Sequence, residues 1–156
     1  MVHTQMNKYV CMGTLGPIAT DATSNHYVDT KGWDHALIMA IGPAATAAGT
    51  SKWTSMVLSE ATITNISSAT AITGCTGTTN ATAAAGEFVL PGHSDTSIKS
   101  IVAFDVSLPD KQRYLHLTVE SATAAYSTCA FVAVLSRGDS TPDTDAEMGM
   151  AEVVYV

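Results

Sequence analysis

The sequence has few charged residues and no long apolar run. Only 13% of its 156 residues are charged, which is about half of the roughly 25% typical of globular proteins. No run of 18 or more apolar residues occurs, so the sequence contains no candidate transmembrane helix. The first residues, MVHTQMNKYVCMG, lack the basic start and apolar centre of a signal peptide. We therefore expect no membrane partner and folding in a cytoplasm.

Basic residues and cysteines are also scarce. Seven Lys and Arg stand against 14 Asp and Glu, for a net charge of -7, and no basic residue lies between Gly138 and Val156. Proteins that bind nucleic acid need positive surface, so nucleic acid is not an expected partner. Cys11, Cys75 and Cys129 are far apart and form no CxxC motif. We predict three buried thiols rather than disulfides or zinc ligands.

Motifs for catalysis and cofactor binding are absent from the sequence. It contains no GxSxG, HExxH, GxGxxG or GxxxxGK[ST]. The histidines are too scattered to suggest a metal site: they are His3, His26, His35, His93 and His116. Two carboxylates could pair for glycosidic cleavage, but any β-sandwich brings acids together by chance. The acids near predicted strand ends are Asp29, Asp34, Asp105 and Glu120. We predict no enzyme, catalytic residue, metal ligand or cofactor.

The clearest pattern is the alternation of two neighbouring segments. Leu115, Leu117 and Val119 point to one side while the residues between them point to the other, as in a strand with one buried face. Cys129–Leu135 is apolar on both faces, which is typical of a central strand. Ser121–Ala125 consists of small residues that could close the two strands as a hairpin.

Other short segments with the same character are separated by turn residues. They are Lys8–Met12, Asp34–Ile41, Lys52–Ala61, Ala69–Thr73, Glu87–Leu90 and Ile98–Leu108. Beyond Thr73, glycines interrupt a low-complexity stretch, which we expect to be a long surface loop. About eight strands at short spacings, without a helix-length amphipathic segment, predict an all-β protein. The expected fold is an antiparallel β-sandwich, jelly-roll-like, with extended N- and C-terminal arms.

The two ends of the chain contain few apolar anchors. We divide the chain into an N-terminal arm (1–25), a β-sandwich core (26–136) and an acidic C-terminal tail (137–156). Thr141-Pro142 followed by acids could start one helical turn. An N-terminal segment of this kind is either a frayed terminus or an arm that gains its partners on another subunit. The predicted interface residues are Met6, Tyr9, Val10, Ile18, Val153, Val154 and Tyr155.

The two tryptophans allow two interpretations. Trp33 and Trp53 both lie beside predicted strands, where a large ring fills a core or an interface. Either could instead be a platform on which a sugar stacks. The first interpretation is favoured, and the second leaves a carbohydrate-binding sandwich as an alternative function.

Three segments together resemble small virion proteins of tailed bacteriophages. They are HYVDTKGWDHALIMAIG (26–42), KWTSMVLSEA (52–61) and KQRYLHLTVESATAAYSTCAFVAVL (111–135). The resemblance implies a capsid decoration or cement protein that binds the major capsid protein, forms homotrimers and lies on the capsid surface of the virion. A tail or baseplate component is the alternative within the same group.

Overall fold

The computed structural model of this chain describes residues 7–13, 23–42, 53–78, 84–90, 101–121, 129–139, 142, 144 and 146–151. In this part of the chain it has nine strands and one short 3-10 helix, Ile66–Ser68. The strands are β1 (Asn7–Cys11), β2 (Thr23–Asp29), β3 (Trp33–Ile41), β4 (Trp53–Ala61), β5 (Thr70–Thr78), β6 (Glu87–Val89), β7 (Ile101–Ser107), β8 (Tyr114–Ser121) and β9 (Ala130–Gly138).

The strands form two sheets that pack face to face. One sheet has the order β1-β9-β3-β7 and the other has the order β2-β8-β4-β5-β6. The antiparallel pair β4·β5 lies at the middle of the sequence, and β3·β7, β2·β8 and β1·β9 pair successively outward from it. This nesting is the jelly-roll strand order, to which β6 adds as a parallel edge strand. The predicted all-β, jelly-roll-like sandwich is confirmed.

The core lies between the sheets and takes alternate residues from each strand. The four-stranded sheet contributes Ala36, Ile38, Ala40, Val102, Phe104, Val106, Phe131, Ala133 and Leu135, and the five-stranded sheet contributes Val28, Met56, Leu58, Leu115, Leu117 and Val119. At about 25 cal/mol per Å² of apolar area, burial of these side chains is the main force that holds the sheets together. The predicted inward face of β8 is confirmed.

The predicted hairpin between β8 and β9 is wrong. β8 pairs with β2 and β4, whereas β9 pairs with β1 and β3 in the other sheet. Both strands are rich in apolar residues because their inner faces meet across the core. Periodicity reports which side of a strand is buried, but not whether a neighbour pairs with it or faces it.

Two further features of the five-stranded sheet differ from expectation. The sequence does not predict β2 as a strand, because Val28 is its only fully buried residue. β5 continues to Thr78, through residues expected to form a surface loop. Gly77 lies so close to the Phe88 and Leu90 side chains that a Cβ would approach both to 2.7 Å. The glycine in this strand therefore permits close packing.

Trp53 belongs to the core and is 1% exposed. Simple alternation places it with Ser55, opposite Met56. The register of β4 against β8 shifts between Trp53 and Ser55, and a bulge of this kind changes the side to which a residue points. The predicted core role is confirmed for Trp53, which lies too deep for a sugar to stack on it.

Parts of both predicted arms contact the sandwich. β1 falls within the segment 1–25, yet it pairs with β9 and Val10 packs against the core. From the C-terminal tail, Met148 is 2% exposed and its carbonyl accepts a hydrogen bond from Tyr9 N at 2.7 Å. These residues of the tail therefore cover part of the β1 edge.

A tight turn takes the chain from β2 to β3. Trp33 N donates to Thr30 O at 3.1 Å, and Gly32 has φ +81°, which glycine tolerates best. Thr30 N and Oγ1 both donate to Arg113 O, at 2.9 and 2.7 Å. The Arg113 side chain binds Asp29. The YVDTKGW and QRY motifs, which carry the resemblance, thus form one structural corner.

Candidate interaction surfaces

The outer face of the four-stranded sheet carries mostly apolar side chains. Since alternate residues of a strand share a face, the residues between the core positions point outward. These residues, here called the apolar face, are Tyr9, Cys11, Leu37, Met39, Ile41, Ile101, Ala103, Val132 and Val134. They are half-buried or exposed, and Ile101 is 51% exposed. All nine described strands lie in the two sheets, so none of them covers this face.

A polar row borders the apolar face at one end. His35 Nδ1 and Ser136 Oγ are 3.1 Å apart across β3 and β9, and His35 Nε2 contacts Asp105 Oδ1 on β7. An apolar centre with a polar margin is the usual arrangement of a protein interface.

The row has the residue types of a hydrolase triad in a different arrangement. In those enzymes the nucleophile contacts His Nε2 and a buried acid holds Nδ1. Here Ser136 contacts Nδ1 of His35, and the Asp105 side chain at Nε2 is 76% exposed. The ring is reversed and the acid is solvated, so we interpret the row as cross-strand polar contacts.

The outer face of the five-stranded sheet is polar and aromatic. Tyr27 is 50% exposed, and its ring contacts Tyr114 edge-on, with centroids 6.2 Å apart. His116, which pairs with Tyr27 across β2 and β8, is tilted against the Tyr27 ring with centroids 5.8 Å apart and is buried. Its Nε2 lies 3.3 Å from Ile63 O. The ring of Tyr27 is therefore braced while its surface stays accessible.

An ion pair lies at the end of this aromatic group. Arg113 Nε and Nη2 donate to the two carboxylate oxygens of Asp29, at 2.9 and 2.5 Å. This bidentate contact holds the pKa of Asp29 below its usual value and raises the pKa of Arg113. The guanidinium also lies 4.9 Å from the centroid of the Tyr114 ring.

His26 lies between the two sheets. Its ring stacks on Phe131 at 4.3 Å, and its Nε2 is 2.7 Å from Ser24 Oγ. Burial lowers the pKa of His26 because the charged ring loses hydration, and a hydrogen bond with the backbone of Met12 partly opposes this. No local pattern in the sequence indicates this contact, since Phe131 is 105 positions away.

Only two of the predicted interface residues fall in the described part of the chain. Tyr9 lies on the apolar face, whereas Val10 points inward and packs against the core. The remainder lie outside the described residues: Met6, Ile18, Val153, Val154 and Tyr155.

The predicted acids do not form one cluster. Asp29 binds Arg113 on the five-stranded sheet, and Asp105 contacts His35 on the four-stranded sheet. Asp34 is exposed at the start of β3, and Glu120 lies at the other end of β8 from the Asp29 corner. Within the described ranges, no group of three or more His, Cys, Asp or Glu could hold a metal ion.

The cysteines and Trp33 differ in how deeply they are buried. Of the three thiols only Cys129 is buried, whereas Cys75 is half-buried and Cys11 is exposed. The prediction of three buried thiols is therefore wrong. Burial raises the pKa of Cys75. Trp33 is half-buried and packs against the core from the start of β3.

No protein-family model matches this sequence, and no curated protein is significantly similar to it. Among the described residues, none of the helices is long and apolar enough to span a membrane.

Proposed function

We propose that this chain is a structural protein of a bacteriophage virion, a capsid decoration or cement protein that binds the major capsid protein lattice and stabilises it. The apolar face of the four-stranded sheet is the observation that carries the proposal. A sheet face that presents contiguous apolar side chains is expected where another protein packs. Jelly-roll sandwiches are also a common architecture of viral capsid domains.

In this proposal the apolar face is the contact with the shell. Val134 lies near its centre, between Tyr9 on β1 and Leu37 on β3. The low charge of the chain, 13% of residues, suits a protein whose surface is covered by neighbouring subunits. Its role is to bridge subunits, and we assign it no catalytic activity.

Co-sedimentation with capsids of the encoding phage, stripped of this protein, tests the proposal. A lysine at Val134 places a charge in the centre of the apolar face, while its long stem limits the disturbance of the sheet. We expect Val134→Lys to weaken capsid binding by about tenfold or more, since a buried unpaired charge opposes association. Val89→Lys, at an exposed position of β6, is the matched control and should bind as the wild type.

If circular dichroism shows that both proteins are folded and Val134→Lys binds capsids as well as the wild type does, the apolar face is not the contact with the shell. Absence of wild-type binding would refute the capsid role itself. Gold labelling of intact virions would separate a head protein from a tail or baseplate component.

We further propose that the protein acts as a homotrimer. Three linked copies bind the shell with a higher overall affinity than one copy does, even when each contact is weak. Light scattering after size exclusion should give three times the chain mass of 16.2 kDa. A mass of 16.2 kDa at all concentrations would contradict the trimer.

A further inference from the structure

The two outer faces of the sandwich differ in chemistry. On the five-stranded sheet, Asn25, Tyr27 and Asp29 follow one another on the same side of β2, and all three are exposed. An aromatic ring is thus flanked by an amide and a carboxylate. The apolar face has no such arrangement, and it lies on the opposite side of the molecule.

The ring of Tyr27 is held in place before any ligand arrives. Tyr114 contacts it edge-on, and His116 lies beside it on the same neighbouring strand, β8, with ring centroids 5.8 Å apart. His116 is itself buried, with its Nε2 3.3 Å from Ile63 O. A braced ring loses little side-chain entropy when a ligand stacks on it, which favours binding.

The polar groups on either side of the ring are also fixed. Asn25 Oδ1 accepts a hydrogen bond from Thr118 Oγ1 at 2.9 Å. At the other end, Asp29 is oriented by two of the five N–H donors of Arg113. Each group is two residues from Tyr27, about 7 Å along the strand. This spacing is comparable to the width of one sugar ring with its hydroxyls.

We propose that this surface binds a saccharide. The C–H face of the sugar stacks on the ring of Tyr27, while Asn25 and the Asp29–Arg113 pair exchange hydrogen bonds with its hydroxyls. A saccharide fits better than a protein partner because a single exposed ring among polar groups offers little apolar area. The site differs from the sequence expectation, which places a sugar on Trp33 or Trp53.

Binding of the full-length protein to a printed glycan array, followed by titration calorimetry with the best oligosaccharide, tests the proposal. We expect Tyr27→Ala to lower affinity by about tenfold, which is about 1.4 kcal/mol, because the sugar loses the ring on which it stacks. Tyr27→Phe keeps the stacking surface and should retain most of the affinity. Val89 lies on the far edge of the same sheet and is 43% exposed. Val89→Ala should therefore leave the affinity for the glycan unchanged.

The proposal is overturned by the absence of glycan binding above background, and equally by a bound glycan whose affinity is unchanged in Tyr27→Ala. Glycoproteins on the same array, before and after enzymatic removal of their glycans, give a further outcome. Binding that persists after deglycosylation identifies a protein partner and refutes the saccharide. The result does not depend on the capsid proposal, because Val134→Lys should bind the glycan normally.

Discussion

His26 is half-buried between the two sheets, and this position should make folding sensitive to pH. Its ring stacks on Phe131 and contacts Ser24 Oγ. Its pKa is lowered in the folded chain, chiefly by burial. The unfolded chain therefore takes up a proton at a higher pH than the folded chain does, and protonation favours unfolding.

We predict that the free energy of unfolding falls as the pH is lowered through 6.5, the ordinary pKa of histidine, toward the lower pKa of His26 in the folded chain. His26→Phe keeps a ring on Phe131 and should flatten this dependence, measured by urea denaturation at several pH values. Asp29→Asn is the control and should keep the slope below pH 6.5. The pKa of Asp29 is lowered from 3.8, so the stability that its charged form contributes is lost only in stronger acid. A slope that persists in His26→Phe would contradict the assignment.

Trp53 is a second residue whose environment sets its effect. Its ring fills the core, whereas Trp33 is only half-buried at the start of β3. We predict that Trp53→Phe lowers the free energy of unfolding by about 1 to 3 kcal/mol, because a smaller ring leaves a cavity. Trp33→Phe should cost less. Urea titrations of the two variants compare them, and a larger loss at Trp33 would contradict the placement of the rings.

At the scale of elements, the C-terminal turn protects the edge of β1. Thr144 Oγ1 receives a hydrogen bond from Glu147 N at 3.2 Å, and Glu147 Oε2 receives one from Thr144 N at 3.3 Å. This reciprocal pair is a capping box, and it orients the turn that brings Met148 O to Tyr9 N. The sequence predicts a turn that starts at Thr141-Pro142, but the capping box places it at Thr144.

Gly149 should be essential for this contact. It has φ +76°, and a Cβ there would lie 1.8 Å from the backbone oxygen of Tyr9. We predict that Gly149→Ala detaches the turn and accelerates hydrogen exchange of the Tyr9 amide. Gly74→Ala is a matched control, because Gly74 has φ +84° but open space around it. Unchanged exchange at Tyr9 in Gly149→Ala would show that the turn tolerates the added methyl group.

At the scale of the whole molecule, the sandwich presents two unlike faces. The apolar face is proposed to contact the shell, and the outer face of the five-stranded sheet, which carries Tyr27, then points away from it. Since β1 pairs with β9, the whole segment 1–25 cannot act as a detached arm. The predicted interface residues Met6, Val153, Val154 and Tyr155 lie before β1 or after the turn at Met148, so their proposed inter-subunit role can be tested by deletion.

We predict that deletion of residues 1–6 and of 152–156 keeps the fold but reduces trimer formation and capsid occupancy. The described strands and the turn at Met148 are retained in both deletions, so the melting temperature should change little. Light scattering and co-sedimentation measure the two effects. If both shortened chains assemble and bind as the full chain does, the terminal residues Met6 and Val153–Tyr155 have no interface role.

The sequence by itself determined the fold class and most of the strands, because alternation reports local burial. It predicted which residues of β8 face the core. It also predicted that β9 is a central strand, and β9 lies between β1 and β3. It also indicated that few charges cover the surface, and by resemblance it suggested a virion protein.

Only the tertiary structure decided how the strands are arranged. The separation of β8 and β9 into different sheets, the bulge that turns Trp53 inward and the strand β2 all depend on contacts distant in sequence. The same holds for both candidate surfaces, since Tyr27 meets Tyr114 and Val134 meets Tyr9 only after the sheets form. Local periodicity records whether a side chain is buried, but the identity of the residue that buries it is a property of the folded chain.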